Sequence, residues 1–323
     1  AYRRRLRITP ASAVPAGASI RFSFDHMALV AAQKARADAN DVRIFYKGSA
    51  DAQELDRVLD PASAWNASNT TIWFRAQSAI QVQPDASYYL YYGDPQAGNP
   101  PADGGQVYTL WDGFDGSTLD PSWNGAQIGS AAGSFTVASG VLHVQGATGD
   151  IWNNDDNFLF LERPLNGDFI ADARVSASGG ALSGWAKVGG LMIRQSLLTS
   201  SRNRLVSPVN GGAAVTNSYR LSDGASTAED SEPGPNPIPE WVGLIRTQQK
   251  SRAFHSNDGV NWLEVGAEIT FAGLADPVLF GVPFANNSGG AGWVELDWIR
   301  VRAYMAEEPK VVADPEEPGP FTR

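Results

Sequence analysis

Apolar and polar side chains alternate with a period of two along most of the chain, which predicts strands with one buried face. The clearest run is Gly167 to Ser196, GDFIADARVSASGGALSGWAKVGGLMIRQS. There Phe169, Ala171, Ala173 and Val175 alternate with Ile170, Asp172, Arg174 and Ser176. Gly179 and Gly180 end that strand, and Lys187 to Ser196 reads as a second one, in which Gly189 and Gly190 allow close backbone packing before Leu191, Met192 and Ile193. Further strands are expected at Ser134 to Val137, Val141 to Val144, Phe158 to Glu162, Trp241 to Thr247 and Arg252 to Ser256. Asn203 to Val209 and Ala214 to Leu221 make a hairpin around Asn210-Gly211-Gly212, and Asn257-Asp258-Gly259 turns the chain into Val260 to Val265. Ser222 to Pro239, rich in proline and acid, reads as a long loop.

The first hundred residues follow the same period. Tyr2 to Thr9 places Tyr2, Arg4, Leu6 and Ile8 on one face and Arg3, Arg5 and Arg7 on the other, a basic row that is either a solvated face or a surface for an acidic partner. Strands follow at Ala18 to Phe24, Val42 to Tyr46, Glu54 to Leu59, Thr71 to Arg75 and Tyr88 to Tyr92. Asp25 caps one helix over about His26 to Ala37, with Met27, Val30 and Ala31 as its apolar side. Of the four tyrosines between 88 and 92, alternation sends half inward for core and edge packing, with a sugar-stacking or assembly surface as the other reading. Gln96 to Gln106 (QAGNPPADGGQ) has little to bury and reads as a linker. The expected fold class is all-β: two β-sandwich domains at 1–106 and 107–305, one short helix in the first, and an extended tail over 306–323.

Composition narrows the function classes. A net charge of -10 argues against nucleic acid, whose phosphates need a concentrated basic face. No apolar run approaches the ~20 residues of a membrane helix, so no membrane insertion is expected. With no cysteine there is neither a disulfide framework nor a thiolate metal site. The chain starts at Ala1 and enters a strand at once, which suggests an export signal cut away and an extracellular or cell-surface location.

Several separated blocks carry a resemblance to known families. YRRRLRIT at Tyr2, DVRIFYKG at Asp41, TIWF at Thr71 and YYLYYGDP from Tyr88 to Pro95 together resemble an uncharacterised domain of bacterial and archaeal surface proteins. GDFIADARV with GWAKVGGLMIRQS resembles the concanavalin A-like, laminin-G-like jelly-roll domains of bacterial secreted proteins. In that resemblance Trp111 to Trp123 (WDGFDGSTLDPSW) opens the domain and Trp293 to Val301 (WVELDWIRV) closes it. It implies a structural Ca2+ where the ends meet, held by Asp112, the Gly116 carbonyl and Asp297, since hard oxygen ligands suit that ion. The alternative is that Asp112 and Asp297 cap turns or pair with Arg300. The fold implied is definite and the function is not, because one sandwich scaffold hosts many activities.

Catalytic signatures are missing from the sequence. Related jelly-roll hydrolases place paired carboxylates as Glu-x-Asp-x-x-Glu, and here the nearest match, Glu295-x-Asp297-x-x-Arg300, ends in arginine. His26, His143 and His255 lie apart without acid or nucleophile motifs, and no G-x-S-x-G or phosphate loop occurs. Ser256 to Trp262 is one residue short of a sialidase aspartate box and reads as structural; Asn153 to Asn157 lacks the spacing of a calcium loop and reads as a polar turn. No enzyme is expected.

Two binding surfaces remain. Trp152, Trp185, Tyr219 and Trp241 would stack on sugar rings if they shared the concave face of the sandwich. The tail after Ala306 carries five carboxylates and four prolines against two cations, and such a segment orders only against a surface that offsets the entropy lost. The expectation is a neighbouring copy: Val311 and Val312 add to a strand edge, Phe321 fills an apolar pocket, and the carboxylates meet Arg3, Arg5 and Arg7. The preferred function is therefore a non-catalytic structural or adhesive protein, a subunit of an extracellular self-assembly or filament linked through its termini. A carbohydrate-binding module taking a polysaccharide is the alternative.

Overall fold

The computed structural model describes residues 1–47, 52–147 and 149–319. The chain divides into two units, one built from Ala1–Leu110 together with the segment beginning at Met305, the other from Trp111–Tyr304. Both are almost wholly antiparallel β-structure, the class that the alternating sequence predicts.

In the first unit one sheet runs, strand by strand, Lys310–Ala313, Tyr2–Thr9, Asp85–Tyr92, Arg43–Tyr46 and Gln53–Leu55, and a smaller sheet joins Ser19–Phe24, Thr70–Arg75 and Arg57–Leu59. Leu6, Ile8, Ile20, Phe22, Ile44, Ile72, Phe74, Tyr88 and Tyr92 form the core of the unit. The tyrosines divide as alternation requires. Tyr88 and Tyr92 lie opposite Leu6 and Tyr2 and join the core, whereas Tyr89 and Tyr91 lie opposite Arg5 and Arg3 on the other face, where they too are buried. Arg3, Arg5 and Lys47 all sit 5.1–5.4 Å from the centre of the Tyr89 ring, so cations cover this face and leave no open aromatic platform.

Three local expectations need correction here. The helix stops at Ala31; Asp25 does cap it, accepting from the Ala28 N–H at 2.8 Å, but its buried residue is His26 and Met27 is 48% exposed. Glu54 to Leu59 is two strands in different sheets, broken at Asp56. The supposed linker packs on its own unit: Pro101 O accepts from the Arg57 N–H, Ala97 O from Arg36, and Gly104–Val107 forms a short helix capped by Asp103. The first unit accordingly runs on to Leu110.

The largest correction concerns the tail. Lys310–Ala313 is an edge strand paired antiparallel with Tyr2–Thr9 of the same chain, Val311 opposite Ile8 and Val312 opposite Arg7, and Glu317–Pro318 pairs with Tyr2 and Arg3. The arginine row meets its acidic partner there, through Arg3–Glu317 at 2.8 Å and Arg7–Asp314 at 2.7 Å, with Lys34–Glu316 at 2.6 Å beside them. Where the sequence predicts a neighbouring copy, Val311 and Val312 instead add to the chain's own first strand, and of the three arginines Arg3 and Arg7 pair with tail carboxylates. Phe321 lies outside the described residues.

The second unit is a β-sandwich of the jelly-roll kind. One sheet runs Ala132–Ala138, Val141–Ala147, Gly292–Ala303, Phe169–Gly180, Glu240–Thr247, Lys250–Ser256 and Leu263–Glu264; the other runs Ala228–Pro233, Ala214–Arg220, Asn203–Pro208, Leu191–Arg194, Val278–Phe284, Phe158–Leu165 and Asn124–Ile128. The two halves of the Gly167 to Ser196 stretch thus belong to opposite sheets, and Phe169 meets Phe280 edge-on between them at 5.7 Å. Gly190, at φ 96°, leaves no room for a Cβ against the Val206 carbonyl, so the close packing read from the paired glycines is real. The long loop is only partly one. Ala228–Pro233 pairs with Ala214–Tyr219 and extends the second sheet to its edge.

Candidate functional site

The second sheet has two unlike faces. Phe280, Ile193, Arg204 and Tyr219 follow one another across it on the side turned to the other sheet, where Arg204 donates to the Ser251 and Ala267 carbonyls. On the opposite side, Met192, Leu205, Ser218 and Glu229 occupy successive strands. An apolar cluster of Ile128, Ile151, Phe158, Phe160, Met192, Leu205 and Ala285 fills part of this second face.

A short hairpin, Ile151–Trp152 paired with Asp155–Asp156, lies over that cluster. It turns at Asn153, whose φ of 51° is in the left-handed region that asparagine tolerates better than other side-chain-bearing residues. Alternation buries Ile151 and leaves Trp152 39% exposed. Asp156 anchors the hairpin. Its carboxylate accepts from Arg220 at 2.8 and 2.9 Å, from Arg194 at 3.1 Å and from Asn203 at 3.3 Å, and the two arginines are fully buried. The polar turn expected from Asn153 to Asn157 is therefore present, with a structural carboxylate at its end.

Beside the hairpin is a cleft of about 330 Å³ lined by Asp150, Trp152, Trp185, Lys187, Glu229 and Asn287. Trp185 stands in the loop after Gly180 and is 64% exposed, while Lys187, two residues on, is buried. The lysine ammonium donates to Glu229 Oε2 and, at 3.4 Å, to Thr216 Oγ1; Ser218 Oγ donates to the same Oε2 at 2.6 Å. One oxygen of Glu229 is thereby fixed and the other is not. Asp150 Oδ1 accepts from the Ile151 N–H at 2.8 Å. Burial, reinforced by the Glu229 charge and opposed by that backbone bond and by Lys187, holds the Asp150 carboxyl above the ordinary aspartate range. Among the described residues, Glu229 Oε1, Asp150 Oδ2, the Asn287 side-chain amide and both tryptophan Nε1 groups have no hydrogen-bond partner. Stacking surfaces and unengaged polar atoms thus surround one concavity.

Of the four aromatic residues expected from sequence, Trp152 and Trp185 come together here and the other two do not. Tyr219 lies on the interior side of the sheet, beside Arg204. Trp241 belongs to the other sheet, where the Arg174 guanidinium covers it at 5.0 Å and its buried Nε1 has no acceptor. Asp150, Lys187, Glu229 and Asn287 were not singled out by sequence. Glu229 sits in TAEDSEPGP, where no apolar alternation reveals the strand, and the others lie in short connecting segments.

The calcium set does not fit. Asp112 Oδ1 accepts from the Phe114 N–H and Oδ2 from Trp123 Nε1, both at 2.8 Å, so the side chain holds its own turn, and burial raises its carboxyl above the ordinary range. Asp297 is ion-paired with Arg174 and is not among the residues around the cleft that Asp112 and Gly116 line. Arg300, the partner considered for Asp297, pairs with Asp172 at 2.6 Å. Among the described residues no three carboxylate or imidazole groups are placed to hold a metal ion.

Other carboxylates are engaged locally. Glu295 pairs with His143 at 3.1 Å, and Glu240 with the buried His255 at 2.8 Å. Asp258 accepts from the Val260 and Asn261 N–H groups, which push its carboxyl far below the usual range, and Trp262 packs against Gly243. The short aspartate-box-like turn is thus structural.

Residues 38–126 match the model of a family described as a domain of unknown function (DUF2341). No curated protein matches the chain. Among solved structures it is similar to a functionally unknown protein from Saccharomyces cerevisiae, at 14% identity and a TM-score of 0.45, covering 57% of this chain and 98% of that one. A GH43 protein from Bacillus licheniformis is 16% identical with a TM-score of 0.45, over 78% of this chain and 50% of that one. A laminarinase from Flavobacterium sp. UMI-01 is 11% identical with a TM-score of 0.42, over 60% of this chain and 99% of that one. Each is a similarity of β-sandwich outline only.

Proposed function

We propose that the second unit binds a saccharide in the cleft between Trp152 and Trp185 and performs no chemistry on it. Indole faces cover the apolar C–H faces of pyranose rings, and carboxylate and amide groups take up the ring hydroxyls. The observation that carries this reading is the meeting of two exposed tryptophans with unengaged polar atoms of Glu229, Asp150 and Asn287 in one cleft. The paired-carboxylate pattern of related jelly-roll hydrolases is not matched in the sequence, where Glu295-x-Asp297-x-x-Arg300 ends in arginine. Glu229 Oε2 is held in place by a lysine and a hydroxyl, which suits a fixed hydrogen-bond acceptor. A location outside the cell, where polysaccharides are met, is part of the same proposal.

Assembly through the termini loses its main support, because the tail that was to reach a neighbour pairs with the chain's own first strand. The test is affinity electrophoresis of the full chain through gels containing soluble polysaccharides, with a reducing-sugar assay on the same panel. Retardation that disappears when Trp152 and Trp185 are both changed to alanine, without sugar release, is expected. Migration unaffected by every polysaccharide would sink the reading; sugar release abolished by Glu229→Gln would make the protein an enzyme instead.

A further inference from the structure

The charges around the cleft carry the reading one step further, to the class of sugar. Two carboxylates, Asp150 and Glu229, line it against a single cation, Lys187. That lysine is 3% exposed, and its ammonium is already directed to Glu229 and Thr216. Among the described residues no other arginine or lysine lines the cleft. An anion entering it would meet the Asp150 and Glu229 oxygens with no cation left to compensate. A hydroxyl entering the same space would instead find acceptors without partners.

Resting on the saccharide-binding reading above, we propose that this cleft is selective for uncharged sugars: Glu229 Oε1 and Asp150 Oδ2 accept from hydroxyls of a neutral pyranose, and the same two carboxylates exclude uronic acids and sulfated sugars. Glu229 is the more rigid of the two, since Lys187 and Ser218 both fix its other oxygen. Its Oε1 is therefore pre-oriented and loses little freedom on binding. Repulsion between like charges a few ångströms apart in a partly desolvated cleft exceeds the gain from one more surface hydrogen bond. Lys187 acts in this account as a positioning residue. It holds Glu229 in place through one oxygen, leaves Oε1 turned to the cleft, and is too buried to attract an anion from solution.

The experiment compares the full chain on three soluble polymers of similar length: a neutral β-glucan or xylan, a polyuronate, and a sulfated galactan. Retardation by a neutral polymer with binding to the anionic ones weaker by about tenfold or more, about 1.4 kcal/mol, is expected. Asp150→Asn should narrow that gap, because an amide oxygen can still accept from the Ile151 N–H while the charge is gone. Glu229→Gln should do the same. Because it leaves Lys187 without its charged partner, its thermal unfolding is measured alongside, and Asp150→Asn decides if that variant fails to fold. Anionic polymer bound as tightly as neutral polymer, with binding still lost on Trp185→Ala, would overturn the selectivity and keep the saccharide reading. A gap unchanged in Asp150→Asn and in any folded Glu229→Gln would overturn the carboxylate explanation. Retardation by no polymer of any charge would overturn both readings together.

Discussion

Replacing Asp156 by asparagine should unfold the second unit at a markedly lower temperature. The carboxylate receives four side-chain donors, three of them from two guanidinium groups that have no exposed surface. Asparagine preserves the shape but removes the charge, leaving Arg194 and Arg220 ionised in the interior; burial already pulls Arg194 below the ordinary arginine range with Asp156 present. Removing one partner from a buried ion pair costs about 3–5 kcal/mol. For a unit of this size, about 2–4 °C per kcal/mol converts that loss to a fall of roughly 6–20 °C in Tm. The assay is scanning calorimetry of the full chain, with Asp155→Asn as control, because Asp155 is exposed and its side chain, among the described residues, accepts only from Thr199 Oγ1. The control should stay within about 0.5 kcal/mol of the parent. A Tm for Asp156→Asn within about 2 °C of the parent would refute the argument that this carboxylate compensates two buried cations.

Other consequences follow from the same geometry. Gly190→Ala should leave no folded second unit in calorimetry, since a Cβ there collides with the Val206 backbone at a φ only glycine adopts readily; a cooperative transition near the parent Tm would contradict this. Truncation after Ala306 should destabilise the first unit, because Val311 and Ala313 pack against its core and the first strand would become a bare edge; an unchanged Tm would return the tail to a merely accessory role. Hydrogen exchange at Lys310–Ala313 should quicken as pH falls below about 4. Glu316 is held below the ordinary glutamate range by Lys34, with Tyr92 assisting, so its contribution is present above the unfolded pKa, ~4.3, and is lost as pH falls through the lower folded value. Exchange independent of pH, after correction for intrinsic rates, would contradict that account.

How far the sequence was legible follows from which signals are local. Period-two alternation divides Phe169 to Val175 and Tyr88 to Tyr92 correctly between two faces, because pleating imposes the pattern; it does not show that Tyr89 and Tyr91 are buried as well, under the cations of their own face. It missed Ala228–Pro233, whose partners give it hydrogen bonds but whose side chains are mostly polar and half-exposed, so nothing in the pattern distinguishes an edge strand from a loop. The sequence predicts a longer helix with another buried face because the short, capped turn is fixed by His26 packing on Trp65, 39 residues on, as well as on nearby Phe24. The candidate site depended on the same distinction. Trp152 and Trp185 were noticed for their residue type, but Asp150, Lys187 and Glu229 become a site only when three connecting segments and an edge strand converge. The tail was correctly matched to the arginine row by charge and strand propensity. Whether that row belonged to its own chain is a question of chain path, which composition does not contain.

The central claim is that the Trp152–Trp185 cleft binds sugar, and isothermal titration of the parent and of Trp185→Ala with a soluble neutral polysaccharide tests it most directly. A tryptophan offers on the order of 150–250 Å². Covering roughly 80 Å² of the exposed indole at about 25 cal/mol per Å² contributes about 2 kcal/mol. The account predicts saturable binding by the parent and about thirtyfold weaker binding by the variant at unchanged Tm. Equal affinity of the two proteins, or no heat of binding from any polysaccharide that the parent meets, would contradict it.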